Sequence, residues 1–221
     1  GVCLFGLRLL PPSWPSGSPD TPAEKAAVVA RYGLPFLFVF IPYGAFQSGL
    51  FTFLGLFGAQ GAGLDAHAVS RAIGVSVIGG AVGPVAAYWL DRRAGLRLPI
   101  AASILAQAVV LFFLLTTRYE AWLFLVYISI LQAGWTFLCC YLYVALIDAA
   151  PELTAASIPL TALSSAAGAY GAGVMLEMYG SWGLLVGALA MLGLMAALTC
   201  PFLPSARTRF GRDLTVSIER P

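Results

Sequence analysis

Uncharged apolar runs long enough to cross a lipid bilayer constrain this chain more than any other feature. Leu34–Phe57, Ala72–Leu90, Leu98–Thr117, Ala121–Ile147, Ala155–Leu176 and a last run from the turn Tyr179-Gly180-Ser181-Trp182 to Phe202 contain no Asp, Glu, Lys or Arg. A helix of about 20 residues is about 30 Å long, the thickness of the hydrocarbon core. The composition agrees: 60% of residues are apolar and 10% charged, where soluble domains carry roughly a quarter charged residues. The expected fold is an all-α polytopic membrane protein, a bundle of six transmembrane helices with lipid as its solvent.

The flanking segments divide the chain further. Gly1–Leu10, ended by Pro11-Pro12, is expected to be the end of a preceding transmembrane helix (1–12), so that the chain is truncated at its N-terminus. A Pro- and Ser-rich linker follows over 13–31, in which Thr21-Pro22-Ala23-Glu24 carries the spacing of a helix start. The bundle occupies 32–203 and a polar, basic tail 204–221. Within the bundle Pro42 predicts a kink in the first span, and Gly79, Gly80 and Gly83 predict a close-contact face on the second. Ser164, Gly168 and Ala172 predict the same on the fifth. Gln107 in the third span is expected to touch a neighbouring bundle edge.

Orientation follows from the basic residues. With the linker in the cytoplasm, ten fall on that side (Arg8, Lys25, Arg31, Arg92, Arg93, Arg97, Arg207, Arg209, Arg212, Arg220) and only Arg71 and Arg118 opposite. Ten against two puts the C-terminus in the cytoplasm. Tyr88 and Trp89 then lie at the inner interface, and Trp122, Tyr179 and Trp182 at the outer one. The net charge of +2, spread over short interhelical clusters, gives no footprint for nucleic acid.

Covalent chemistry finds little support. Cys3, Cys139, Cys140 and Cys200 sit in apolar stretches without Cys-x-x-Cys spacing, and neighbouring Cys139 and Cys140 point to different helix faces, so no metal is expected. The single His67 is in a connection, and Ser48-Gly49 lacks the preceding Gly of an intramembrane serine protease element. No phosphate-binding Gly-x-x-x-x-Gly-Lys loop occurs. The chain is not expected to be an enzyme or to carry a cofactor.

The hinge between the second and third spans carries a family resemblance. Gly83, Asp91-Arg92, Gly95 and Arg97 resemble the signature that the major facilitator superfamily of transporters repeats after its second and eighth helices. Ala87 stands where the family most often has Gly, and one extra residue separates Arg92 from Gly95. Gly168 to Trp182 looks like that family's junction between helices eleven and twelve. Together these make the chain resemble the C-terminal half of such a transporter, helices seven to twelve, over residues 1 to about 203. The resemblance implies a 3+3 inverted repeat, echoed by Leu90-Asp91 before Gly95 and Leu176-Glu177 before Gly180.

It also implies secondary active transport of a small organic solute by alternating access, with the N-terminal six-helix half as partner, in the plasma (inner) membrane. Asp91, Arg92, Arg93, Gly95 and Arg97 would form a cytoplasmic gating latch; as charges alone, they read equally as a positive-inside topology signal. Helices seven and ten would line the cavity. On them Tyr43 and Gln47 are one turn apart, and Gln132, Thr136, Cys139 and Tyr143 follow the i, i+4, i+7, i+11 series with Trp135 at its edge. The expected substrate site is Tyr43, Gln47, Gln132, Trp135, Thr136 and Tyr143, amides orienting a solute and aromatics supplying stacking area. Interhelical hydrogen bonding is the other reading of each. Proton coupling through an acid in this half would fall to Glu177. The competing function is a six-helix scaffold or receptor module that acts by self-assembly.

Overall fold

The computed structural model describes residues 26–27, 29–94 and 97–199, with the backbone alone at 31–32, 91–94, 97 and 148–149. The helix end at 1–12, nearly all of the 13–31 linker, the 204–221 tail, Gly95 and the side chains of Asp91, Arg92, Arg93 and Arg97 lie outside the described residues. Among the described residues all regular structure is helical.

The first span is two helices. A π turn, Val29–Gly33, leads into α1, Leu34–Thr52, with Pro35 in its first turn where a missing N–H costs nothing. Pro42 is carried inside α1, and α1 ends at a break at Phe53 (φ −106°, ψ 7°), after which α2 runs Leu54–Ala62. The expected first span, Leu34–Phe57, thus straddles this break. Gly63, at φ 64°, closes α2 with its N–H on the Ala59 carbonyl, a left-handed cap that favours glycine.

Helix α3, Ala66–Ala94, starts where the Asp65 carboxylate accepts the Ala68 N–H at 2.6 Å. Helix α4 spans Arg97–Thr116 and α5 spans Ala121–Ala149. Tyr119, between them, ties its loop to α2: its N–H donates to the Gly61 carbonyl at 3.1 Å and its hydroxyl to the Phe57 carbonyl at 2.9 Å. After a 3-10 turn at Pro151–Leu153, α6 runs Thr154–Thr199.

A straight helix of 46 residues would reach about 69 Å, over twice the hydrocarbon core. Gly180 prevents this. Its φ of 63° and ψ of −155° are non-helical and open to glycine because it has no Cβ. A Cβ on Gly183 would lie 2.6 Å from the Met175 carbonyl oxygen, eight residues back, a proximity no straight helix allows. Limbs 154–179 and 181–199 therefore fold back on each other at the turn expected over Tyr179–Trp182. Among the described residues five helices are long and apolar enough to cross a membrane, the last holding both limbs. Large apolar side chains such as Val77, Ile78, Leu105, Leu163 and Val186 stand exposed on them. In water such a surface would aggregate, and in lipid it is solvated.

Small residues decide which helices touch. α1 packs chiefly on α6, and α3 on α5. A Cβ on Gly49 would meet the Gly168 carbonyl and the Ala172 methyl at 3.1 Å, and one on Gly168 would run into the backbone of Ala45. Ser164 Oγ donates across this crossing to the Phe40 carbonyl at 3.2 Å, and Ser165 Oγ to the Gly44 carbonyl at 3.3 Å. At the other crossing a Cβ on Gly79 would lie 3.0 Å from Ser129 Cβ, and one on Gly83 2.7 Å from Phe137 N. With no hydrophobic driving force between helices in lipid, such close backbone approach is what dispersion contacts require.

Candidate functional site

The six expected substrate residues fall into two neighbourhoods of α5. Toward α1, Tyr43 is 2% exposed and stacks flat on Trp135, with centroids 3.7 Å apart and planes at 13°. Its hydroxyl points at the Trp135 carbonyl at a long 3.5 Å. Phe40 bridges outward, edge-on to Tyr43 at 6.0 Å and tilted against Tyr143 at 4.9 Å. The result is a four-ring cluster between α1 and α5. Phe40 was missed by sequence reasoning; its place three residues before Tyr43, on the same helix face, was the signal.

Burial separates the roles within this cluster. Tyr43 and Phe40 are inside, while Trp135, Tyr143 and Gln47 are each half-buried. Gln47 makes no side-chain hydrogen bond with the described residues, so its amide remains open to a further partner. Tyr43 is therefore a backing plate that holds the Trp135 ring, and Trp135, Tyr143 and Gln47 offer the accessible edges.

Toward α3, the arrangement is structural. Pro84 has no N–H, so the Gly80 carbonyl four residues earlier lacks its intrahelical donor. Thr136 Oγ1 lies 2.6 Å from that carbonyl, and 3.1 Å from the carbonyls of Gln132 and Ala133 in its own helix. One hydroxyl proton serves one acceptor best, and the shortest contact is the one Pro84 orphans. Gly83 leaves room for the approach, since a Cβ there would collide with Thr136 Oγ1. Gln132 lies beside it, its Cγ 2.9 Å from where a Gly80 Cβ would be, and its buried Oε1 has no partner among the described residues. The i, i+4, i+7, i+11 series on α5 is thus a seam between two packed neighbours rather than one open face.

Other polar residues are also placed. Gln107 is fully buried, not at an outer bundle edge: it lies against Gly134 of α5, where a Cβ would sit 2.9 Å from its Cγ. Its Nε2 is 3.3 Å from both the carbonyl and the hydroxyl of Ser103, whose Oγ in turn reaches the Gly134 carbonyl at 3.3 Å, and its Oε1 is unpartnered among the described residues. Glu177 and His67 are exposed, and Asp65 is engaged as a helix cap rather than with His67. Cys139 and Cys140 are free thiols, and no cluster of three His, Cys, Asp or Glu side chains fit to hold a metal occurs among the described residues.

The fold and these packed seams define an all-helical integral membrane protein. No known protein family, characterised protein or solved structure matches the chain.

Proposed function

We propose that the chain is the C-terminal half of a major facilitator-type secondary transporter that moves a small organic solute by alternating access. The observation that carries this reading is the pairing of helices. α1 packs on the first limb of α6, and α5 packs on α3, each through a glycine-lined crossing. If α1, α3 and α4 form one three-helix repeat and α5 with the two limbs of α6 the other, then exchanging the repeats turns one pairing into the other. An inverted 3+3 repeat predicts that symmetry.

In this reading α1 and α5 line the transport path. Trp135, Tyr143 and Gln47 touch the solute, Tyr43 and Phe40 position the rings, and Thr136 and Gln132 hold α5 on α3. An aromatic wall with one free amide suits a solute with an apolar body and a hydrogen-bonding end. The Asp91–Arg97 hinge serves as the cytoplasmic latch, on the side to which the ten-to-two distribution of bases assigns the C-terminus. A preceding six-helix half completes the cavity.

The first test is the reading frame upstream of Gly1. Six further apolar spans are expected there, and their absence would sink the proposal. Counterflow of a panel of radiolabelled organic solutes in proteoliposomes of the full-length protein then finds a substrate. Gln47→Ala and Trp135→Ala are expected to raise its half-saturation concentration at least tenfold. The assembly-module alternative predicts instead a stable self-dimer of this chain in native mass measurements.

A further inference from the structure

Away from the ring cluster, a cavity of about 330 Å3 opens between α1 and the two limbs of α6, with Phe57 of α2 and Leu115 of α4 at its end. It shares no lining residue with Tyr43, Trp135, Tyr143 or Gln47. Glycines make it. Gly171 and Gly187 face it from opposite limbs, and a Cβ on either would meet nothing within 4 Å. The space that side chains would fill at these two positions is empty.

The lining decides what can enter. It contains no charged residue, and its one polar side chain, Ser164, already lies 2.9 Å from the Thr161 carbonyl and 3.2 Å from that of Phe40. A buried water needs two to four polar partners, and apolar cavities less than half this size stay dry and take up benzene. Headgroups and polar solutes are excluded for the same reason. What remains is hydrocarbon, and Met175 and Met191 give the wall adaptable side chains.

The rim decides where it comes from. Ile41, 38% exposed, and Met175, 42% exposed, line the cavity and also reach the outside of the bundle. Both lie in helices long and apolar enough to span a membrane, which places the opening at the depth of the acyl chains. We propose that the cavity is a binding site for one acyl chain of a membrane lipid. Transfer from bilayer to protein gains no hydrophobic free energy; occupancy is driven by the dispersion contacts an empty void forfeits. Lipid is the solvent here, so weak affinity suffices to fill the site. The inference uses none of the residues assigned to the transported solute.

The test uses the full chain in phosphatidylcholine nanodiscs doped with a phosphatidylcholine that carries a diazirine in its acyl chain. After irradiation, adducts are mapped by mass spectrometry. Adducts are expected on the lining residues Met175, Leu184 and Met191, and should fall at least fivefold in Gly187→Leu, whose side chain enters the void. Gly193→Leu, on the same limb but outside the lining with equally open space, should retain them. If Gly187→Leu does not fold, Gly171→Leu fills the void from the opposite limb. Equal labelling in filled and control variants would overturn the proposal, as would no adduct on the lining. Labelling by a free diazirine alkane but not by the lipid would also overturn it, in favour of a loose apolar solute.

Discussion

The bond between Thr136 and the Gly80 carbonyl makes a sharp prediction, because its reason for existing lies on a third residue. Thr136→Val keeps the side-chain shape and removes the donor that reaches Gly80 at 2.6 Å. An unsatisfied buried carbonyl costs about 1–3 kcal/mol, whereas interhelical hydrogen bonds in membranes average about 0.6 and reach about 1.7 kcal/mol. The carbonyl has no intrahelical donor to fall back on, so the upper part of the membrane range applies, about 1.5 kcal/mol. Pro84 is exposed, so Pro84→Ala disturbs little packing while it restores an N–H for the same carbonyl. In that background Thr136→Val should cost only about 0.5 kcal/mol, a coupling of about 1 kcal/mol. Reversible unfolding in mixed micelles, followed by helical circular dichroism for the wild type, both single variants and the double variant, reads all four corners of the cycle. Equal cost of Thr136→Val with and without Pro84 would refute the assignment of Thr136 as the replacement donor.

Three more predictions concern packing and pH. Gly168→Ala drives a methyl into the Ala45 backbone, which cannot rotate away, and should destabilise by about 1–3 kcal/mol, while Gly193→Ala, with nothing within 4 Å, should be neutral or slightly stabilising in the same unfolding assay. Gln107→Met removes an amide whose Oε1 has no partner among the described residues and keeps most of its volume; the midpoint of unfolding should hold or rise, and a large fall would mean that a partner exists. Burial, with Tyr127 nearby, pushes the Tyr119 phenol up to about 12 from an ordinary value of about 10. The folded protein holds that proton more tightly than the unfolded chain, so its contribution is complete below pH 10 and is lost as pH rises through 12. Tyr119→Phe should abolish this alkaline step in a stability profile from pH 8 to 12.5.

Helix positions were legible because charge is the costly feature in lipid: in the described part of the chain every uncharged run is helical, and each but the first, which breaks at Phe53, is a single helix or limb. The turn at 179–182 and the close crossings at Gly79–Gly83 and at Ser164–Ala172 were legible for a related reason: only small residues permit backbone approach, and only glycine takes the Gly180 conformation. Partners were not legible. In water an apolar stripe announces the buried face of a helix, but a membrane helix is apolar all round, so the pattern carries no direction. Gln107 accordingly turned inward to Gly134, and the α5 series divided between α1 and α3. The break at Phe53, eleven residues past Pro42, had no such marker in the sequence.

The same asymmetry explains where a functional surface can form on such a scaffold. Polar groups at membrane depth are first claimed by backbone positions that local sequence leaves unsatisfied, as Pro84 claims Thr136. Those that escape are free to meet a solute, and among the six expected site residues the half-buried Gln47 amide is the clearest case, with no described hydrogen bond to relinquish. Gln132, although chemically identical, is pressed against Gly80 with its Oε1 enclosed. A solute would have to separate α3 from α5 to reach that oxygen. Equal loss of affinity from Gln47→Ala and Gln132→Ala would therefore mean that the two helices move apart during the cycle, whereas an effect confined to Gln47 fits a path along the Trp135 and Tyr143 edges with the α3–α5 pair moving as one body.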